Sequence, residues 1–329
     1  MHTMEIYPVG GTSVIASTHL KGITSFTTYP SGGIKDCKLN EYNEVKVNEQ
    51  VFIPRYKKMD ERKKENKTVA YYESGKIKSI ALEERTNIQT SIGTICAELI
   101  SFYESGEIDS VFPSNGQIGF GWSLEDEEKL LEELNFSFPF GKFETKIIGA
   151  RFYEKGSLKS MILWPNKRIE IETPIGSYPV RIGFRLYENG ALQSFEPGMP
   201  ISVETPVGSV MAFDQNAIGI DADCNSINFY PDGSLQSLST NSDIVIHSPE
   251  MKERTIIYQQ LRLDMLSDEM IKLPVVLHFQ KDTVMFDNGA ESKTFPIKGT
   301  TFMFLHDGYY TEKKCSPGSD CSDCGASCM

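Results

Sequence analysis

The sequence predicts a mainly β protein, a meander of antiparallel β-hairpin repeats forming an extended or curled sheet, with one short inserted helix and a cysteine-rich C-terminal tail. Three observations lead to this fold class. A unit of the form Tyr-x-x-Gly-x-(Ile/Leu) occurs six times, a turn motif of the form Thr-x-x-Gly recurs between copies, and one segment has the pattern of a capped helix. The copies of the first unit begin at Tyr29, Tyr72, Tyr103, Tyr153, Tyr187 and Tyr230.

Each copy predicts a β-hairpin. Its centre reads Ser-Gly, Lys-Gly, Asn-Gly or Asp-Gly, and such pairs favour two-residue hairpin loops because Gly adopts positive φ at no steric cost. With residues 189 and 190 as the loop, Tyr187 would lie opposite Leu192 on the neighbouring strand. The spacing therefore predicts one Tyr/Leu pair per hairpin, and we expect this face of the sheet to form the core.

The residue before the tyrosine points to the other face, because strand side chains alternate. In three copies it is a phenylalanine, Phe102, Phe152 or Phe229, with a polar residue expected opposite. Aromatic side chains on a rigid sheet lose little entropy when they bind a partner. We therefore predict Phe102, Phe152 and Phe229 as partner-binding residues on an exposed face, with another protein as the partner. The oligomeric state stays open, and so does the choice between an open, curled or closed sheet.

The segments between the copies carry the second turn motif. Residues 90–93, 173–176 and 205–208 read Thr-Ser-Ile-Gly, Thr-Pro-Ile-Gly and Thr-Pro-Val-Gly, and the strands before the last two alternate Ile or Val with polar residues. Pro and Gly at these positions are typical of tight turns. The connectors are therefore predicted to be hairpins as well, so that the chain forms a hairpin meander.

Two segments interrupt the repeats. Residues 123–135 are predicted as a helix, because Ser123 and Asp126 have the spacing of a capping box and several leucines follow. We expect this helical insertion to act as a lid or clasp on the sheet. Residues 55–67 are almost all charged and have no apolar period, so we expect a solvated loop there.

The repeat units resemble a known module. Tyr-Glu-Asn-Gly-Ala-Leu-Gln-Ser at residues 187–194 and Tyr-Pro-Asp-Gly-Ser-Leu-Gln-Ser at residues 230–237 look like the bacterial variant of the MORN repeat, a hairpin module that builds long single-layer sheets. The resemblance covers about two thirds of the chain. The alternate hairpins depart from the commonest pattern, because they carry Thr-Pro-x-Gly turns. The resemblance implies a non-enzymatic scaffold or interaction surface, sometimes found in antitoxin-like proteins.

The pattern of the chain changes after the last repeat. We predict a β-hairpin repeat domain over residues 1–249, terminal capping strands or a small β domain over 250–310, and the cysteine-rich tail over 311–329. The repeats themselves run on without a Pro/Gly/Ser-rich linker. For this reason the first 249 residues are assigned to one domain.

The tail carries the one constellation in the sequence that suggests chemistry. Cys315, Cys321, Cys324 and Cys328 fall within fourteen residues, and the central Cys-x-x-Cys is a common half-site for zinc or an iron–sulfur cluster. The usual second half-site a dozen or more residues away is absent from the sequence. Three interpretations therefore stay open: a metal site formed by these four cysteines, thiol redox or disulfide chemistry, and an exposed tail of inert, reduced cysteines.

The net charge and the sequence motifs limit the classes of function that the chain could have. The net charge of −12, without a cluster of Lys or Arg among aromatics, argues against nucleic-acid binding. The sequence shows no signal peptide and no run of 18 apolar residues, so we expect a cytoplasmic protein with no membrane insertion. No sequence motif of an enzyme is found, and no catalytic residue is assigned. The sequence favours a non-enzymatic scaffold or protein-binding module; the alternative is a metal-dependent or thiol-redox protein whose tail carries the activity.

Overall fold

A computed structural model describes residues 19–57, 62, 67–119, 121–217, 225–248, 254–264 and 268–306 of the protein. In these ranges the chain forms 27 strands and one helix. The elements are β1 (Ile23–Thr28), β2 (Ile34–Leu39), β3 (Val45–Val47), β4 (Gln50–Phe52), β5 (Val69–Tyr71), β6 (Ile77–Thr90), β7 (Gly93–Phe102), β8 (Ile108–Phe112), α1 (Leu124–Lys129), β9 (Leu134–Phe138), β10 (Gly141–Thr145), β11 (Ile147–Phe152), β12 (Leu158–Leu163), β13 (Ile169–Thr173), β14 (Gly176–Leu186), β15 (Leu192–Pro197), β16 (Ile201–Thr205), β17 (Gly208–Ala212), β18 (Ile227–Phe229), β19 (Leu235–Thr240), β20 (Ser242–His247), β21 (Thr255–Ile257), β22 (Leu261–Leu263), β23 (Met270–Lys272), β24 (Val275–Phe279), β25 (Thr283–Asp287), β26 (Ser292–Pro296) and β27 (Thr301–His306).

One large antiparallel sheet of 16 strands organises the molecule. Its order is β1-β2-β5-β6-β7-β8-β11-β12-β14-β15-β18-β19-β24-β25-β26, with β13 paired to β14 outside this path. The strands that are missing from the path form short hairpins, or a separate three-stranded sheet in the order β21-β20-β27. The predicted fold class, a mainly β hairpin meander with one short inserted helix, is confirmed.

The core lies on one face of the large sheet, called here the inner face. Residues paired directly across neighbouring strands point to the same side. The register places in one row Cys37, Val69, Ile80, Ile100, Val111, Ala150, Met161, Phe184, Phe195, Ile227, Leu238, Leu277 and Phe286. The short hairpins cover most of this row, since Phe52, Phe136 and Val203 belong to the same buried cluster. The single-layer sheet thus gains a second layer, and both bury their apolar side chains.

The repeat hairpins differ from the prediction by one residue of loop length. Gly190 N–H donates to Tyr187 O at 2.8 Å, and Tyr187 N–H donates to Ala191 O at 2.8 Å. Gly190 has φ +83°, whereas Asn189 is not among the residues of positive φ. A two-residue type I′ loop requires positive φ at both positions, so the turn is instead a three-residue loop that ends in a left-handed glycine.

The longer loop changes which residues face each other. Leu186 pairs with Leu192, and the equivalent pairs in the other copies join Phe102 to Ile108, Phe152 to Leu158, and Phe229 to Leu235. The predicted Tyr/Leu pair is therefore wrong. In these four copies the core pairs are formed by the residue before the tyrosine, because a shift of one residue in register exchanges the two faces of a strand.

The six tyrosines form a hydrogen-bonded ladder across the turns. Each is half-buried, and each hydroxyl donates at 2.7–3.0 Å to the backbone carbonyl of the residue that precedes the next turn. Donor and acceptor residues are Tyr29 and Tyr71, Tyr72 and Phe102, Tyr103 and Phe152, Tyr153 and Leu186, Tyr187 and Phe229, and Tyr230 and Phe279. The last acceptor shows that the β24–β25 hairpin takes the seventh place in the series. The tyrosine is repeated because it fastens one hairpin to the next.

The connecting hairpins agree with the prediction. Thr90 pairs with Gly93, Thr173 with Gly176, and Thr205 with Gly208, which leaves two residues in each loop. The threonine hydroxyl donates to the carbonyl oxygen of the paired glycine at 2.6–2.7 Å in all three cases. These connectors turn the chain back toward the large sheet.

The inserted helix is shorter than predicted. Ser123 and Asp126 form the expected capping box, but α1 ends at Lys129. Residues 134–138 form β9 instead, where alternating side chains place Phe136 and Phe138 in a cluster of stacked rings. Phe138 and Phe140 also contact Phe184 of the large sheet edge-on, at 5.7 and 5.3 Å between ring centroids. Burial of these rings outweighs the helical spacing of the leucines.

The C-terminal strands serve two purposes. β24, β25 and β26 extend the large sheet beyond β19, and β20, β21 and β27 form the three-stranded sheet. Ile244, Ile246 and Ile257 of this small sheet are buried in the main core cluster. The small sheet therefore uses one of its faces to cover the large sheet.

Candidate functional site

The predicted partner-binding phenylalanines lie in the core. Phe102 and Phe152 are each 2% exposed, and Phe229 is fully buried. Phe102 contacts Phe52 of the covering hairpin edge-on at 5.6 Å, and Phe229 stacks on Phe195 at 6.2 Å. The expectation of an exposed Phe face is wrong, because the three-residue loop turns these side chains toward the covering layer.

The predicted metal ligands lie outside the described residues. Cys315, Cys321, Cys324 and Cys328 all fall after His306, where the description of the chain ends. Within the described ranges, no three His, Cys, Asp or Glu side chains are grouped closely enough to hold a metal ion. The tail therefore stays a prediction. In the sheet, burial raises the pKa of Cys37 to about 11, so this thiol is protonated at neutral pH.

The strongest candidate for a functional surface is a set of exposed apolar side chains near the end of the large sheet. We call it the C-terminal apolar surface. It consists of Ile256, Tyr258, Leu261, Leu263, Met270, Met303 and Leu305. These seven residues are more than half of the large hydrophobic side chains that are exposed in the described chain. Neighbouring exposed apolar side chains are typical of interaction sites, whereas single ones are common everywhere, and on the small sheet Met303, Val245 and Ile256 lie side by side.

The three-stranded sheet and the β22–β23 hairpin carry most of these side chains. In the small sheet, Met303 lies opposite Val245, which lies opposite Ile256 on the next strand. The three side chains share one face, turned away from the buried Ile244 and Ile246. In the β22–β23 hairpin, Leu263 pairs with Met270, so their side chains also share one face.

Strand β27 is an edge of the small sheet. In the described chain it pairs with β20 alone, over all six of its residues. Met303 is 56% exposed and Leu305 is 45% exposed on this edge strand. Half of the backbone N–H and C=O groups of an edge strand point away from its neighbour, so β27 offers hydrogen bonds and apolar side chains to an added strand.

A buried charge cluster fastens the helical insertion to the large sheet. Arg62 donates from Nε and Nη2 to Glu127 of α1 at 2.7 and 2.6 Å, and from Nη1 and Nη2 to Glu98 of β7 at 3.0 and 2.7 Å. Burial raises the pKa of Glu127, but hydrogen bonds from Arg62, Ser114 and Trp122 lower it more, and the carboxylate stays charged. Arg62 falls in the segment expected to be a solvated loop, and for this residue the expectation is wrong.

A second buried carboxylate is less well compensated. Glu196 is fully buried, accepts a hydrogen bond from Ser226 N–H at 2.7 Å, and lies 3.2 Å from Nη2 of Arg181. Burial raises the pKa of Glu196 to about 7, against the opposing effects of Ser226 and Arg181. A bulge between Arg181 and Phe184 brings the arginine to this position, with Ile182 at φ +62°. This part of β14 and β15 therefore combines a strained backbone with a buried acid, and both lower the stability of the fold.

An open cleft of about 400 Å³ is lined by Gln89, Thr90, Glu107 and Lys155, among others. The ammonium group of Lys155 lies 3.1 Å from the carboxylate of Glu188. The lining contains the hydroxyls of Thr90, Ser91 and Ser157 and contains no His, Cys or Asp.

Comparisons with known protein families, with curated proteins and with solved structures found no match to this chain. In the part of the chain that the structure describes, no helix has the length and apolar character needed to cross a membrane. The likeness to the bacterial MORN-variant repeat stays a prediction.

Proposed function

We propose that the protein is a non-enzymatic, protein-binding scaffold whose C-terminal apolar surface receives an extended segment of a partner protein as an additional strand beside β27. The observation that carries this proposal is the exposure of Met303 and Leu305 on an edge strand. Added strands gain affinity from main-chain hydrogen bonds and specificity from alternate side chains. The large sheet behind the small one serves as the rigid support.

The arrangement of side chains defines the partner segment. Because Met303, Val245 and Ile256 form one row, a strand added beside β27 would continue this row with its own outward side chain. Every second residue of the segment is therefore expected to be apolar. On the same face Leu305 lies opposite Asp243, which places a carboxylate beside the docking row.

The charge of the chain favours a different protein over a second copy. Two copies, each with a net charge of −12, repel one another, whereas a basic segment is attracted. We therefore expect the partner segment to carry Lys or Arg at its polar positions or its flanks.

A displayed library of extended ten-residue peptides tests the proposal. Peptides with apolar residues at alternate positions and basic residues between them should be selected by the full chain. Their binding should weaken about tenfold or more in Leu305→Lys, because a charge replaces an apolar anchor. The matched control is Met199→Lys, another highly exposed apolar residue outside this surface, which should bind like wild type.

Hydrogen exchange and sedimentation provide two further measurements. Amides of β27 should exchange more slowly when a selected peptide is bound. Failure to select alternating peptides, or equal binding by Leu305→Lys, would contradict the proposal. A concentration-dependent dimer that Leu305→Lys abolishes would instead identify a second copy as the occupant.

A metal- or thiol-based activity of the tail is the second candidate. The observation that favours it is the spacing of Cys315, Cys321, Cys324 and Cys328. Full-length protein purified without oxygen should then contain zinc or iron, and the double variant Cys321→Ser/Cys324→Ser should lose it. Cys37→Ser, in the core, is the control that should keep the metal. Absence of metal together with freely alkylated tail thiols would rule this candidate out.

A further inference from the structure

Three asparagines of the chain are followed directly by glycine, and they are Asn115, Asn189 and Asn288. In such a pair the backbone nitrogen of the glycine can attack the side-chain amide of the asparagine, because glycine has no Cβ to hinder the approach. The attack requires that the two groups can meet, so hydrogen bonds that hold either of them elsewhere suppress it. The three pairs should therefore differ in reactivity according to the contacts that surround them.

Two of the pairs are held by hydrogen bonds. Gly190 N–H donates at 2.8 Å to a backbone carbonyl of its own turn, and Asn189 Oδ1 accepts from a backbone N–H at 3.0 Å. Gly289 N–H donates to Asp287 Oδ1 at 2.8 Å. Asn288 is 2% exposed, and its side-chain amide donates to one backbone carbonyl and accepts from two backbone N–H groups. In both pairs the attack would have to break several of these bonds.

The pair formed by Asn115 and Gly116 is much less restrained. It lies between β8 and α1, where residues 114–118 form neither helix nor strand. The contact from Gly116 N–H to Ser114 Oγ is 3.5 Å long, which is beyond the usual range for a hydrogen bond of this kind. The half-buried side chain of Asn115 makes no hydrogen bond to any residue that the structure describes. Of the three pairs, this one alone leaves both reacting groups available.

A negative charge on residue 115 would lie beside the buried charge cluster that fastens the helical insertion. Asn115 N–H donates to Glu98 Oε2 at 2.9 Å. Gly116 packs against Glu127 so closely that a Cβ on this glycine would overlap the carboxylate. Arg62 binds the carboxylates of both Glu98 and Glu127. A third carboxylate in this place would repel the first two, because like charges interact strongly where water is scarce.

We propose that Asn115 is a site of spontaneous modification, at which deamidation loosens the attachment of α1 to the large sheet. Hydroxide takes the proton from Gly116 N, which bonds to Cγ of Asn115 and expels the side-chain nitrogen; this nitrogen leaves as ammonia after taking a proton from water. Water then opens the resulting succinimide ring at either carbonyl, which gives aspartate or isoaspartate. Isoaspartate also lengthens the main chain by a methylene group beside Gly116. The site is independent of the proposed strand docking, because its contacts do not involve β27.

Incubation of the full chain at pH 6 and at pH 8 tests the site. Peptide mapping by mass spectrometry should find the mass of the acid in place of that of the amide at Asn115 before any conversion of Asn189 or Asn288. Conversion should be faster at pH 8, because loss of the proton from Gly116 N starts the reaction. Asn115→Gln should stay unmodified, since the longer side chain closes a larger ring less readily. Equal conversion of the three asparagines, or none at Asn115, would overturn the proposal.

A matched pair of variants measures the effect on the fold. Asn115→Asp carries the charge of the product, so it should speed the hydrogen exchange of the α1 amides and lower the melting temperature. Asn189→Asp adds the same charge in an exposed turn, where its carboxylate can keep the hydrogen bond from Ala191 N–H, and should behave like wild type. Unchanged exchange of α1 in Asn115→Asp, or equal changes in the two variants, would contradict the proposed loosening.

Discussion

The repeat hairpins and the three-stranded C-terminal sheet contain similar strands but treat their apolar side chains differently. In the repeats, Phe152 and its equivalents are buried, and every repeat tyrosine donates its hydroxyl to a backbone carbonyl. In the small sheet, Met303 and Leu305 alternate with Phe302 and Phe304 on β27 and are exposed. The covering layer, and not the composition of the strand, therefore determines which apolar row stays exposed.

The physical cause is the number of layers available. Short hairpins such as β3–β4, β9–β10 and β16–β17 cover the inner face of the large sheet. The small sheet is itself one of these covers, and in the described chain nothing from a third layer covers its outward row of Met303, Val245 and Ile256. One face of a cover is therefore left for solvent or for a partner.

The largest expected effect contrasts one residue of each region. Phe152→Ala should lower the free energy of unfolding by about 3–5 kcal/mol, because it leaves a cavity in a close-packed core. Leu305→Ala should change it by less than about 0.5 kcal/mol, since the side chain is exposed. Urea denaturation measures both. Similar losses in the two variants would show that the small sheet is packed as tightly as the repeats.

The charge cluster under the helical insertion should be nearly as sensitive. Arg62→Met should cost about 3–5 kcal/mol, because it leaves the buried carboxylate of Glu127 without an arginine and that of Glu98 with Arg85 alone. Lys57→Met removes a more exposed partner of Glu83 and should cost much less, because solvent screens this ion pair. The comparison is made by thermal and urea unfolding at pH 7. Equal effects would mean that the cluster is not the fastening between α1 and the sheet.

The pH dependence of stability should report Glu196. Its pKa is raised from 4.5 to about 7 in the folded protein, so the folded state binds more protons than the unfolded chain between these values. Stability contributed by this group is therefore present below about pH 4.5 and is lost as the pH rises through about 7, by roughly 3 kcal/mol in total.

Glu196→Gln isolates this effect from other carboxyl groups. The pKa values of Asp36, Glu83 and Glu127 are lowered, so their contributions are lost at acid pH and act in the opposite direction. The difference in unfolding free energy between wild type and Glu196→Gln should change between pH 5 and 8. A constant difference over this range would contradict the raised pKa.

The smallest effect concerns the tyrosine ladder. Tyr153→Phe removes the hydrogen bond from the hydroxyl to Leu186 O at 2.9 Å and should cost about 1 kcal/mol. Tyr258→Phe, on the exposed C-terminal apolar surface, should cost almost nothing. Paired denaturation curves decide the point, and an equal cost for the two tyrosines would mean that the ladder does not stabilise the repeats.

Much of the fold could be predicted from local sequence, but the candidate site could not. The six glycines of the repeat mark the turns correctly, because each adopts a positive φ in the turn. The sequence did not show that the residue before the tyrosine, and not the tyrosine itself, faces the core. Loops of two and three residues share the same Asn-Gly or Asp-Gly signal and differ by one residue of register. The tyrosine directly before each loop was a signal for the hydrogen-bonded ladder. The backbone carbonyl that accepts its hydrogen bond, however, belongs to another repeat.

The C-terminal apolar surface could not be found by pattern alone. Phe302, Met303, Phe304 and Leu305 form a continuous apolar run, and such a run does not tell which alternate set is buried. Arg62 was likewise hidden within a charged segment that resembles a solvated loop. Both assignments depend on contacts between residues far apart in the chain.

Local sequence is enough to predict the antiparallel hairpin meander, the turn positions and the capped start of the helix. These features depend on glycine conformation, side-chain alternation and capping, which act over a few neighbouring residues. Long-range packing sets which aromatic rows form the core, which apolar row stays exposed and which carboxylates share an arginine. These depend on register and on the covering layer, because burial is a property of packed sheets and not of a single strand.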